Sequence, residues 1–332
     1  MKLNSGGSST KFILLHPYIQ NKQGSSGRLW LLAVVSFFTI AFLLSLVYNH
    51  APASSSSSSS AATVASLSAV APATPGPLPT TVINTLLHYV SRSNDSYHMS
   101  GPDLKLVSDI IRKCPAPCNF LVFGLTHETL LWKALNHNGR TIFIDENRYY
   151  AAYVEEKHPE IDAYDVQYTT KMGEMAELIA AAKEQTRNEC RPVQNLLFSE
   201  CRLGINDLPN LVYDVDWDVI LVDGPRGDKP ESPGRMSAIF TAAVLARSKK
   251  AAGGNPRTHV LLHDYYRNVE KVCGDEFLCR DNLVESTGML AHFVLERMDP
   301  NSFDFCLNKA KPSSSSPSSS SASSSSSSGS RL

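Results

Sequence analysis

Between Trp217 and Val222 the chain reads WDVILV, one charge in six residues, and it stops at Asp223-Gly224-Pro225. A run this short and this apolar, closed by glycine and proline, is the pattern of a strand buried on both faces. Such strands belong to parallel sheets covered by helices. Other runs repeat the pattern: Asn119 to Leu125 (NFLVFGL), Arg140 to Asp145 (RTIFID, entered through the turn pair Asn138-Gly139), a weaker Tyr164 to Tyr168, Thr258 to Leu262 and Ala291 to Leu295. Stretches with helical spacing lie between them, at Glu128 to Asn136, Lys171 to Arg187 and Arg235 to Arg247. Strands alternating with helices at this interval predict an α/β fold with a mainly parallel sheet and helices on both faces.

Charge is distributed unevenly around this region. All 32 acidic residues fall in residues 81–310; six of the 31 basic residues fall outside, leaving 25, so the domain carries a net charge of −7. Binding nucleic acid is excluded as its main business, because neutralising phosphates needs the opposite sign. Leu29 to Tyr48 is twenty uncharged residues, which at about 1.5 Å per residue matches a hydrocarbon core of roughly 30 Å and exceeds the apolar region of a cleaved signal. Lys2, Lys11, Lys22 and Arg28 precede it, and no Lys or Arg follows before Arg92. That bias predicts a cytosolic tail (1–28), a membrane span (29–48) and a lumenal remainder. The lumenal part divides into a Ser/Pro-rich stem (49–80) that cannot bury a core, the domain (81–310) and a serine tail (311–332). The layout is that of Golgi type II membrane enzymes by analogy. The sequon Asn94-Asp95-Ser96 suits the lumenal side. So do seven cysteines (114, 118, 190, 201, 273, 279, 306), expected to pair and leave one free. Cys114 and Cys118 have no second close Cys/His pair at zinc-like spacing, which argues against a zinc site.

In a doubly wound sheet, ligands sit beyond the carboxyl ends of the strands, so the strand-end residues are the candidates for chemistry. These are Gly124, Asp145 with Glu146, Asp223, and His263 with Asp264. A glycine turn into a helix, followed about 20 residues on by an acid placed for ribose hydroxyls, fits a nucleoside-type cofactor; acids at such positions also serve as helix caps.

The segments FLVFGLTHETLLWKALN (Phe120 to Asn136), GRTIFIDEN (Gly139 to Asn147), DVQYTT (Asp165 to Thr170), DVDWDVILVDGPRGDKPESPGRMSAIFTAAVLARSKK (Asp214 to Lys250) and THVLLHDYYRNVEKVCGDEFLC (Thr258 to Cys279) resemble the plant polysaccharide-biosynthesis family that contains the glucuronoxylan methyltransferases and the irregular-xylem-fifteen proteins. The resemblance covers about residues 81–306, and KFILLHPYIQ near the N-terminus looks closest to the irregular-xylem-fifteen branch. It implies a methyltransferase-like, Rossmann-type fold, a Golgi membrane location, a part in xylan synthesis in secondary walls, and S-adenosylmethionine as the cofactor class. Partners would then be glucuronoxylan and other xylan-synthesis proteins.

The methyltransferase relatives carry G-x-G after the first strand, whereas this chain reads Gly124-Leu125-Thr126. A threonine there adds Cβ where backbone should approach a cofactor and resists positive φ. Alternatively Thr126 caps the next helix, with Glu128 or Thr129 completing its first turn, and cofactor contacts survive through Asp145 and Asp223. Methyl transfer to a sugar hydroxyl needs a base near the acceptor oxygen or a metal to acidify it; Asp223, His263 and Asp264 are the ionisable groups the topology would assemble. The metal question is open at this level. Arg235, in Pro233-Gly234-Arg235-Met236, is positioned to meet an acidic sugar such as glucuronate or to sit solvated at a helix start. A rival class, a metal-dependent glycosyltransferase, rests on the D-x-D triplet Asp214-Val215-Asp216, which precedes a strand rather than following one.

Overall fold

The computed structural model describes residues 36–40, 42–43, 76–93, 98–227, 229–250 and 254–306. The chain divides into two units, Met1–Val70 and Ala71–Leu332. In the first, residues 36–40 and 42–43 are helical. Among the described residues no helix is long and apolar enough to cross a membrane; the expected span Leu29 to Tyr48 falls mostly outside them. The cytosolic tail, most of the stem, the sequon and the serine tail also lie outside the described residues.

The second unit is built on a seven-stranded sheet. In chain order its strands are β1 (Asn119–Phe123), β2 (Arg140–Asp145), β3 (Asp162–Asp165), β4 (Val219–Val222), β5 (Arg257–Leu262), β6 (Leu283–Thr287) and β7 (Leu290–Glu296). Their spatial order is β3-β2-β1-β4-β5-β7-β6. The first five are parallel, and β7 and β6 close the sheet as an antiparallel hairpin. Strand order reverses between β1 and β4, so a crevice opens beyond their carboxyl ends.

Alternation along each strand fills two cores. Leu121 and Phe123 of β1, Ile220 and Val222 of β4, and Val260 and Leu262 of β5 face one core, while Phe120, Val122, Val219, Leu221 and Leu261 face the other. The second core is covered by α1 (Thr80–Val90), α2 (Gly101–Lys113), α3 (Thr129–Leu135) and α4 (Arg148–Lys157). The first is covered by α5 (Met175–Glu184), α6 (Asn210–Asp214), α7 (Met236–Arg247) and α8 (Asn268–Cys273). All twelve residues of α7 are buried, as a helix apolar on nearly every face requires. Its second shield is the π-turn Gly274–Cys279, whose Phe277 meets Phe240 edge-on at 5.2 Å.

Several sequence expectations shift. The third strand ends at Asp165 instead of running to Tyr168: Val166 N–H still reaches Asp145 O (2.9 Å), and the chain then turns inward. The helix expected over Lys171 to Arg187 forms only at Met175–Glu184, after a 3-10 turn. Six cysteines pair, as Cys114–Cys118, Cys190–Cys201 and Cys279–Cys306, and Cys273 is free and buried. Cys114, Cys118 and Asp218 are the only metal-type trio among the described residues, and two of its three ligand atoms are sulfurs bonded to each other.

Candidate functional site

The crevice floor is a contact between two glycines. Gly124 leaves β1 with φ +112°, and a Cβ there would lie 3.1 Å from the backbone of Asp223 and Gly224; a Cβ on Gly224 would lie 2.8 Å from Gly124 Cα. Strand ends this close admit no side chain, so the backbone itself lines the floor. Beside it, Asp145 accepts from Leu125 N–H and Asn147 N–H, each at 2.8 Å, one on each carboxylate oxygen. Burial raises its pKa and those two amides work against the rise. Asp145 therefore ties the β1 and β2 loops together. Glu146 is the exposed acid at the rim, touched by Arg226 N–H at 3.4 Å.

Thr126 does not carry the positive φ that a second glycine would relieve: among the described residues the only non-glycine residues with positive φ are Asp264 and Cys279. Nor does its side chain cap the helix. The order is reversed, with Thr126 N–H donating to Thr129 Oγ1 (3.0 Å), and Glu128 at the cap position making no side-chain cap bond. What departs from a glycine loop is thus an amide already spent on Thr129 and an extra side chain.

Across the crevice β4 and β5 bring Asp223, His263 and Asp264 together. His263 Nδ1–H donates to Asp223 Oδ1 at 2.7 Å, and Nε2 is buried without a partner. In that tautomer Nε2 holds the lone pair. Burial alone would lower the His263 pKa, but the charge of Asp223 and the hydrogen bond to it carry the net shift upward. Asp264 adopts φ +60°, a left-handed conformation that Asp tolerates better than most residues.

Arg235 corrects the expectation of a sugar-facing cation. Gly234, at φ +62°, packs against Met172 where a Cβ would lie 2.5 Å from its Cγ. The chain thereby turns Arg235 inward, leaving it 4% exposed. Its guanidinium donates to His263 O (2.6 Å), Asp223 O (3.0 Å), Asp223 Oδ1 (3.3 Å) and Asp264 Oδ2 (3.0 Å). It is a clamp between β4 and β5 and has no donor face turned to solvent.

Two groups escape the sequence reading. Tyr168 has a buried hydroxyl with no partner, and Glu270, 1% exposed, has one unpartnered carboxylate oxygen. Burial raises both pKa values, and the Arg235 charge opposes the rise in each. Tyr168 follows β3 at its carboxyl end, so strand-end position was the available signal for it; Glu270, in the first turn of α8, offered no such signal. The D-x-D triplet lies at the opposite end of the sheet: Asp216 Oδ1 accepts from Lys250 N–H (2.9 Å) and Asp214 O from Lys250 Nζ (2.9 Å), a clasp on the entry to β4.

The glycine floor, the rim acid Glu146 and the polar wall fit S-adenosylmethionine. The crevice offers backbone at the floor and the exposed Glu146 carboxylate for ribose hydroxyls, although Asp145 is partly spent. Comparison with known proteins places the geometry in context. The IRX15/IRX15L/GXM family model matches residues 102–293. "Protein IRREGULAR XYLEM 15" of Arabidopsis thaliana is 66% identical over 323 residues, covering 95% of this chain and 99% of that one. "Protein IRX15-LIKE" of the same plant is 68% identical over 314 residues, covering 94% and 98%. "Glucuronoxylan 4-O-methyltransferase 3", also from Arabidopsis thaliana, is 38% identical over 218 residues, covering 66% and 70%.

Proposed function

The chain belongs to the IRX15/IRX15L/GXM family, and from that membership we propose that it acts in the biosynthesis of xylan, specifically glucuronoxylan of plant secondary walls. The observation that carries this reading is the 66% identity spread over 95% of the chain, against 38% over 66% for a methyltransferase relative. It works as a Golgi single-pass type II membrane protein. Residues 1–28 are cytosolic, 29–48 span the membrane, 49–80 form the stem, 81–310 the lumenal domain and 311–332 a serine tail, beside other xylan-synthesis proteins. The uncharged run, the basic residues before it and three disulfides support that arrangement. Removing the chain from its plant should lower the xylose content of stem walls, and the intact chain should restore it; unchanged wall xylan would refute the assignment.

A second reading, S-adenosylmethionine-dependent 4-O-methylation of glucuronic acid side chains, is favoured by one observation, the unpartnered His263 Nε2. Gly124 and Glu146 would hold the cofactor, which when bound supplies an electrophilic methyl group. His263 Nε2 would take the proton of an acceptor hydroxyl that reaches it, and Asp223 would steady the imidazolium. Since the His263 pKa is raised above the ordinary value of about 6.5, its base form appears only above that raised value. Methyl transfer should therefore climb as pH rises through that raised value. Stability runs the other way: what protonated His263 contributes is complete below 6.5 and is lost as pH rises through the folded value. Calorimetric titration of S-adenosylmethionine into the full chain, with Glu146→Ala and Thr126→Gly beside it, is the direct test. We expect wild-type binding, weakened by Glu146→Ala and changed little by Thr126→Gly. A silent wild type rescued by Thr126→Gly would instead mark an inactive crevice and a scaffold role.

A further inference from the structure

We propose that the xylan backbone crosses the crevice between two exposed tyrosines, Tyr149 on the β2 rim and Tyr266 on the β5 rim; this rests on the xylan reading above and adds where the polymer lies. Tyr149 is 82% exposed and Tyr266 65%, yet both are tied to the site. Tyr149 N–H donates to Asn147 Oδ1 (3.1 Å), directly after Asp145 and Glu146. Tyr266 lies two residues beyond Asp264, and Arg267, which pairs with Asp264 Oδ2 at 3.3 Å, holds its guanidinium 6.0 Å from the Tyr266 ring centre.

Strands β1 and β4 run between the two rims. Three strand spacings of about 4.8 Å separate β2 from β5, so the footholds stand on the order of 14 Å apart at the strand ends. Glu146 borders one side of that gap and His263 the other. On the β2 side the track continues along α4, where the Tyr150 and Tyr153 rings lie 6.4 Å apart and within 17° of parallel.

The chemistry selects a sugar polymer. A domain of net charge −7 does not attract an acidic polysaccharide by its field, so the grip has to come from uncharged contacts. An aromatic ring meets the apolar C–H face of a pyranose, its hydroxyl reaches sugar hydroxyls, and few torsions are frozen in doing so. A protein partner would call for a continuous patch of roughly 800 Å², whereas these rings stand on separate segments, after β2 and after β5.

Two footholds on one ligand act together only when the ligand spans both. Titrating the full chain with xylo-oligosaccharides of increasing length should therefore give a step in affinity once the oligomer bridges the gap. Tyr149→Ala and Tyr266→Ala should each weaken the long oligomer about tenfold and abolish the step with length, with Tyr149→Phe and Tyr266→Phe close to wild type. Affinity independent of length, or loss from only one rim, overturns the crossing. So does a wild type that binds no xylo-oligosaccharide, in which case wall xylose still decides the broader function independently. Falling wall xylan in Tyr149→Ala, Tyr266→Ala plants with oligosaccharide binding unchanged would assign these rings to a protein partner and equally overturn it.

Discussion

Replacing Arg235 by leucine is expected to remove about 3–5 kcal/mol of stability, the range for breaking a buried ion pair by deleting one partner. Arg235 is 4% exposed, and Asp223 and Asp264, both paired with it, are 8% and 6% exposed. Leucine fills part of the volume but leaves two buried carboxylates with His263 and Arg267 as the remaining cationic partners. It also strands the His263 and Asp223 carbonyls that the guanidinium now satisfies. Against this, the unpartnered Nε of Arg235 disappears, which offsets a small part of the loss. Lysine should fall between, because it keeps the charge but cannot present the planar fork that reaches both strand ends. Arg202 pairs with Glu177 at 2.8 Å on the surface, and its leucine variant should cost less than about 1 kcal/mol. Denaturant midpoints of the full chain carrying each change give the comparison. An Arg235→Leu chain as stable as Arg202→Leu would mean that water enters and solvates the two acids.

The same residue shows where reading a sequence stops. PGRM signals a turn into a helix, and Arg235 does precede α7, but a solvated arginine and one folded inward produce the same four letters. Only the neighbouring β4 and β5 ends decide between them, and their adjacency is a property of the sheet. By contrast, Asp223, His263 and Asp264 were legible together, because each closes an apolar run and parallel strands gather their carboxyl ends. The buried strands β1, β4 and β5 were legible for the same reason: burial on both faces leaves an uninterrupted apolar signature. β3 and β6 sit at the sheet edges, and β6, with its three central residues exposed, has little reason to carry any pattern. At Thr126 the missing glycine was visible, but its consequence was not. The left-handed turn is made two residues earlier, at Gly124.

That turn carries the second large effect. Gly124→Ala should cost about 2–5 kcal/mol, combining on the order of 1–2 kcal/mol for an L-residue forced to positive φ with about 1–3 kcal/mol for overpacking. The clash is with backbone, Asp223 C and O and Gly224 N at 3.1 Å, which cannot rotate aside as a side chain would. Gly224→Ala needs no positive φ, yet its Cβ would lie 2.8 Å from Gly124 Cα, so its cost is overpacking alone and should be the smaller. Either change moves the β1 and β4 ends apart, and the double variant should lose less than the sum, because the first displacement already makes room for the second methyl. Asp223 N–H bonds Phe123 O at 2.9 Å and His263 N–H bonds Val222 O at 3.1 Å, so separation at the glycines disturbs the Asp223–His263 pair as well as the floor. Thermal unfolding of the two single variants and the double, read beside calorimetry with S-adenosylmethionine, separates these effects. Cofactor binding should fall even where the fold survives, and full additivity of the two stability losses would show that the glycines do not meet across the crevice floor.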